Sequence, residues 1–157
     1  MRFHGLKKKY PDFESFKNAS ITDIFPEPLL SEAIVLEVNE LRSVILVNNG
    51  NLDFEKRILP QSVQLSPVYA ICGVDVNSDG SQDILMGGNL FNVQPEMGRY
   101  DASYGNLLIN DGKGAFTDRA KELGFSVKGE IRDFVIDGDI IHVFRNNDSV
   151  LSFQINK

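Results

Sequence analysis

The rhythm of apolar and polar positions changes near Ile34. Before it, apolar residues come in short groups. Asp12 to Asn18 predicts a short helix with Asp12 as N-cap. Ser20 to Phe25 reads as a short strand or loop. Pro26 to Ala33 predicts another short helix: Pro is tolerated in a first turn, and Leu29, Leu30 and Ala33 share one face. From Ile34 onward, short runs of Val, Ile and Leu alternate with Gly, Asn and Asp clusters. The runs are Ile34 to Val38, Ser43 to Val47, Tyr69 to Val74, Ile84 to Met86, Asn106 to Ile109, Asp133 to Ile136, Ile140 to Phe144 and Val150 to Ile155. Short strands separated by turn signals predict a mainly β architecture. Ala120 to Gly124 allows at most one helical turn. The predicted organisation is an N-terminal segment with short helices, residues 1–33, followed by a β region, residues 34–157.

The β region repeats itself. Ser43-Val-Ile-Leu-Val-Asn-Asn-Gly-Asn-Leu-Asp-Phe54 resembles Gly105-Asn-Leu-Leu-Ile-Asn-Asp-Gly-Lys-Gly-Ala-Phe116. In each, an apolar strand meets an Asn-Gly or Asp-Gly turn, which supplies positive φ angles, and an aromatic follows on the return strand. Ile140-Ile-His-Val-Phe-Arg-Asn-Asn-Asp148 is a weaker third echo. Repeated antiparallel units leave faces that a neighbour must cover. A propeller blade takes ~40–50 residues, so 157 residues hold about two to three blades, with 90–105 as an insertion. A closed propeller needs ~4–8 blades. The expectation is therefore an incomplete β-propeller. Its open edges need the N-terminal segment, a second copy, or the remaining blades of a longer parent chain.

The sharpest chemical signal is Asp75-Val-Asn77-Ser-Asp79-Gly80-Ser81-Gln-Asp83. Oxygen-bearing side chains stand at positions one, three, five and nine, and Gly80 at six permits a sharp turn. Calcium takes about 6–8 hard oxygen ligands. The expected ligands are the side chains of Asp75, Asn77, Asp79 and Asp83 with the carbonyl of Ser81. An EF-hand needs a bidentate Glu at position twelve. Here that position is Met86, whose thioether a hard cation rejects. Strand-like residues flank the loop on both sides, so a strand–loop–strand calcium site is expected. A metal-free Asp/Asn-rich turn is the alternative reading. A second loop near Asp133 is shorter, and Asp133 to Asp139 predicts an ordinary β-turn without calcium.

Val74-Asp-Val-Asn-Ser-Asp-Gly-Ser-Gln-Asp-Ile-Leu-Met86, followed by Asn106-Leu-Leu-Ile-Asn-Asp-Gly-Lys-Gly-Ala-Phe-Thr-Asp118, resembles the FG-GAP/VCBS repeat, the calcium-loop blade of integrin-α-type β-propellers. Leu65-Ser-Pro-Val-Tyr-Ala70, Gly98-Arg-Tyr-Asp-Ala-Ser-Tyr-Gly105, Lys128-Gly-Glu-Ile-Arg-Asp133 and Arg145-Asn-Asn-Asp148 are similar to the C-terminal end of large bacterial VCBS-repeat proteins, related to the ASPIC/UnbV group that includes cartilage acidic proteins. The resemblance covers roughly Ser43 to the C-terminus. It implies a propeller of about seven blades, an extracytoplasmic location, and binding, adhesion or scaffolding in place of catalysis. Only the calcium-loop residues carry over position by position.

Composition narrows the partners. With 22 acidic and 16 basic residues the net charge is -6, which disfavours a general nucleic-acid binder. Lys7-Lys8-Lys9 is the local exception and reads as a solvated tail. No apolar run approaches the ~20 residues of a membrane span. Met1 to Tyr10 lacks the apolar core of a secretory signal, which leaves a cytoplasmic chain or a piece of a longer one. The lone Cys72 reads as a small buried hydrophobe. Within the insertion, Arg99, Tyr100 and Tyr104 are candidates for an unknown protein or glycan partner, because Tyr and Arg favour interface hot spots. An accessory carbohydrate-binding domain of a polysaccharide-processing protein is the alternative function. His142 is expected to point outward from its strand, between inward Ile141 and Val143. With two distant histidines a catalytic triad is unsupported, and an all-oxygen loop disfavours a catalytic metal, which keeps an open position.

Overall fold

The computed structural model describes residues 4–155. Residues 1–3, which carry part of the reading of Met1 to Tyr10, lie outside them. The chain forms two compact units, Met1–Glu40 and Leu41–Lys157.

The first unit holds four short helices, α1 (His4–Lys9), α2 (Phe13–Phe16), α3 (Ile21–Ile24) and α4 (Glu27–Ser31). Asp12 caps α2 as expected, its side chain accepting from Ser15 N at 2.7 Å. Pro26 precedes the first turn of α4. Three expectations are corrected. Lys7 to Lys9 form the last turn of α1, not a tail, and Lys9 Nζ donates to the Asp23 carbonyl. Ser20 to Phe25 is neither strand nor loop: Ser20 and Asp23 close a reciprocal capping box around α3, which outweighs the β-branched residues Ile21, Thr22 and Ile24. Ile34 to Val38 joins no sheet; Ile34 is 88% and Val38 70% exposed. Strand propensity is largely packing against cross-strand neighbours, and this segment has none among the described residues. The sheets begin only at Val44.

The second unit is mainly β, with three antiparallel sheets. A hairpin pairs β1 (Val44–Gly50) with β2 (Asp53–Ile58). A four-stranded meander follows: β3 (Val68–Val74), β4 (Asp83–Gly88), β5 (Asn106–Asn110) and β6 (Phe116–Asp118). A three-stranded meander ends the chain: β7 (Ile131–Asp137), β8 (Ile140–Arg145) and β9 (Leu151–Gln154). Among the described residues the sheets remain separate and close no barrel or ring.

Alternation along the strands makes the four-stranded sheet the middle layer. Leu85 and Leu107 face one side with Val74 of the same sheet, packed with Ile131, Phe134, Ile141 and Val143 of the neighbouring sheet. Met86 and Leu108, one residue on, face the other side, with Leu59, Val63 and Ile45. Successive side chains of a strand point to opposite faces, so neighbouring residues serve two cores. Cys72 is half-buried against the first core, and burial pushes its thiol up.

The internal repeat extends to register. Asn48 pairs with Phe54 and Asn110 with Phe116. At each turn the Asn side chain accepts from the N–H two residues on, Gly50 at 2.8 Å and Gly112 at 3.0 Å. This side-chain turn needs Asn or Asp at the strand end. Between β7 and β8, Asp137 pairs with Ile140 across Gly138 and Asp139, the tight turn expected there. His142 points away from buried Ile141 and Val143 and meets Ser152 Oγ at 2.9 Å.

Leu85 is fully buried between the layers. Leu85→Ala is expected to lower the unfolding free energy by about 2–5 kcal/mol. Leu46→Ala, at a 58% exposed position of β1, should cost under about 1 kcal/mol. Urea unfolding followed by circular dichroism checks both.

Candidate metal centre

The loop from Asp75 to Gln82 is closed at its base by the pair Val74–Asp83, the last residue of β3 and the first of β4. Its acidic and amide side chains turn inward onto its own backbone. Asp75 Oδ1 accepts from Asp79 N at 3.2 Å and Oδ2 from Gly80 N at 3.0 Å. Asn77 Oδ1 accepts from Asp79 N at 3.2 Å, while its amide donates to Asp79 Oδ2 at 2.7 Å. Asp79 Oδ1 accepts from Ser81 N at 2.7 Å. The Ser81 N–H, and then the Asn77 amide, hold the Asp79 carboxyl below its ordinary value. Positive φ at Ser78 and Gly80, 57° and 84°, lets the chain bend this tightly.

Asp83 is different. It is fully buried, and its two carboxylate oxygens bridge separate elements: Oδ2 accepts from Val76 N at 3.1 Å and Oδ1 from Asn110 N at 2.9 Å. Asn110 returns a bond from its amide to the Gln82 carbonyl at 3.1 Å. The second repeat hairpin is thus tied directly to the loop.

The structure gathers Asp75, Asn77, Asp79 and Ser81 in one bend and seats Asp83 at its foot. The donor set suits a hard divalent cation, since it contains oxygen atoms and neither sulfur nor imidazole. A carboxylate oxygen that accepts one N–H keeps lone-pair capacity. Among the described residues no three acidic, cysteine or histidine side chains converge on one point. Filling a calcium shell therefore requires the Asn77 amide oxygen, the Ser81 carbonyl and water beside the carboxylates of the loop.

The partner candidates of the long loop each have their own contacts. The Arg99 guanidinium lies 5.2 Å from the Phe91 ring centroid. Tyr100 exchanges backbone hydrogen bonds with Leu90 at 2.9 and 3.0 Å, which fastens the two limbs of the loop. Tyr104, half-exposed, lines a separate open cleft of about 500 Å³ with Leu65 and Phe125.

Two further residues organise this region, and periodicity gave no sign of them. Asn89, 2% exposed with φ of 80°, accepts from Ser66 Oγ and Ser103 N and donates to the carbonyls of Ser103 and Gly129. Asn tolerates a left-handed backbone better than most residues, and its amide both donates and accepts. Glu130, 5% exposed, accepts from Phe91 N at 2.9 Å, Arg132 Nη2 at 2.7 Å and Asn146 Nδ2 at 2.9 Å. Arg132 in turn lies 4.3 Å from the Tyr69 ring centroid. The available signal was local: Asn directly after Gly87-Gly88, and Glu and Arg flanking the apolar Ile131.

Comparison with protein-family models, with curated proteins and with solved structures returns no match.

Removing the Asp83 carboxylate strands two backbone N–H groups. Asp83→Ala is expected to cost about 2–4 kcal/mol in calcium-free buffer, measured by urea unfolding, and Asp79→Ala at the loop tip much less. The Phe91 N–H, then the Asn146 amide, hold the Glu130 carboxyl below its ordinary value despite burial. A lowered native value means that its stabilisation is complete above the ordinary pKa, about 4.3, and is lost as the pH falls through the native value. The stability advantage of the wild type over Glu130→Gln should therefore shrink in acid, in unfolding curves taken stepwise from neutral pH.

Proposed function

We propose that the chain is a non-catalytic, calcium-binding module of FG-GAP/VCBS type, serving extracytoplasmic recognition, adhesion or scaffolding. The observation that carries this reading is the bend Asp75–Asp83: oxygen donors at alternate positions, a strand on each side, and no helix leaving it. Further support comes from the order of the sheets. Each meander starts with the strand nearest the other, β3 beside β7, as the inner strands of adjacent propeller blades stand. The sheets then represent successive blades of an incomplete propeller, completed by the other blades of a parent chain or by a second copy.

In this role Asp75, Asn77, Asp79 and Asp83 ligate through side-chain oxygens and Ser81 through its carbonyl. Asp83 fixes the foot of the loop on β5. Calcium supplies positive charge among acidic side chains that repel one another, so it stiffens the loop and, through Asn110, the neighbouring hairpin. Nothing in this arrangement calls for a nucleophile or an open metal position. No helix among the described residues is long and apolar enough to cross a membrane.

Calorimetric titration of the chain with calcium is expected to show one site. Asp79→Ala should weaken it at least tenfold, and Asp137→Ala, in the tight β7–β8 turn, should leave it unchanged. Calcium at about 100 times the dissociation constant should add ~2.7 kcal/mol to stability. Equal affinity in Asp79→Ala, or no heat of binding, overturns the assignment.

A further inference from the structure

The Glu130 anchor also lines a cleft. This cleft, of about 410 Å³, opens between the start of the long loop, the approach to β7 and the β8–β9 turn, lined by Phe91, Asn92, Glu130, Asn146, Asn147 and Asp148. That volume falls in the ~300–1,000 Å³ range of small-ligand sites. Its floor is rigid. Both oxygens of buried Glu130 are committed, to Phe91 N and Arg132 on one side and to Asn146 on the other. Asn146 N also donates to the Glu130 carbonyl at 2.8 Å, locking the β8–β9 turn to the floor.

The charges of the cleft cancel. Glu130 is paired with Arg132 at 2.7 Å, and Asp148 with Arg145 at 2.7 Å. A cation would meet no unpaired carboxylate there and would still lose hydration, so the cleft disfavours cations. What remains available is neutral and polar. Asn92 and Asn147 are exposed and their amides make no hydrogen bond to the described residues. Asn147 is held at a φ of 54°, which sets it at the tip of a defined turn. Each amide offers donors and an acceptor side by side, the arrangement that matches adjacent hydroxyl groups. Phe91, half-buried with the Arg99 guanidinium 5.2 Å from its ring centroid, lines the cleft with apolar carbon that can meet the C–H face of a sugar ring.

We propose that this cleft binds a neutral saccharide, with Asn92 and Asn147 bonding its hydroxyls and Phe91 packing on its ring. The proposal is independent of calcium at Asp75–Asp83. A nitrogen-15 NMR titration of the whole chain in EDTA tests it without that reading. The probes are cellotetraose, mannotetraose and chitotetraose, with N-acetylglycine methylamide as a neutral peptide mimic. At least one tetrasaccharide is expected to give saturable shifts at residues 91–92, 129–130 and 146–148, with millimolar affinity. The double variant Asn92→Ala/Asn147→Ala should bind at least tenfold more weakly with an unchanged melting temperature. The proposal is overturned by saturable binding to none of the three sugars at about 20 mM, twentyfold above a millimolar dissociation constant. It is equally overturned by undiminished binding in the double variant, or by an equal response to the peptide mimic.

Discussion

The second unit is organised around one buried carboxylate. Asp83 sits where β3 hands over to β4, without solvent access, and a carboxylate in such a place is costly unless donors meet it. The donors come from two directions, Val76 N in the loop and Asn110 N at the end of β5. That requirement sets the path of the loop, because Val76 must curl back toward Asp83. It also sets the position of the Asn110 turn, because its N–H must point across the sheet. The inward turn of Asp75, Asn77 and Asp79 follows from a bend whose two ends are already pinned.

The same economy appears in the layering. Leu85 and Met86, and again Leu107 and Leu108, divide between the two faces of the middle sheet. A slip of one residue would exchange the two sets and put Asp83 out of reach of its donors. The polar clamp and the apolar pattern therefore specify the same register, and neither suffices alone: hydrophobic faces tolerate varied packing, whereas a buried carboxylate with two fixed donors does not.

These constraints differ in how far they can be read from residues alone. The hairpins were legible because Asn48 and Asn110 each precede a turn whose chemistry is local, and the repeat carries the pairing with Phe54 and Phe116. The Asp12 cap and the outward His142 were legible for the same reason, since each depends on near neighbours. Ile34 to Val38 was misread because strand formation depends on a partner that a run of Val, Ile and Leu does not identify. α3 was misread because Ser20 and Asp23 form a capping box with Asp where Glu or Gln is the usual signature. In the bend from Asp75 to Asp83 the acidic and amide residues were legible, but not their different hydrogen-bond partners. Asp83 differs from Asp75 and Asp79 in its burial and in the bond from Asn110 N, far along the chain.

Asn89 and Glu130 show why long-range polar anchors escape a linear reading. Asn89 joins the end of β4 to Ser103 and Gly129, and Glu130 joins the long loop at Phe91 to the β8–β9 turn at Asn146. Each is a single residue whose partners lie in two or three other segments, so no periodicity announces it. Their effect is nonetheless directional. A loop without regular secondary structure is held at Leu90–Tyr100 by its own backbone and at Phe91 and Ser103 by these anchors. Ordering it in advance removes conformational entropy that a ligand would otherwise have to overcome. The buried groups are saturated within the fold, whereas Asn92 and Asn147 beside them are exposed. Two buried polar residues thereby fasten a loop that a purely apolar core would leave without partners for its backbone.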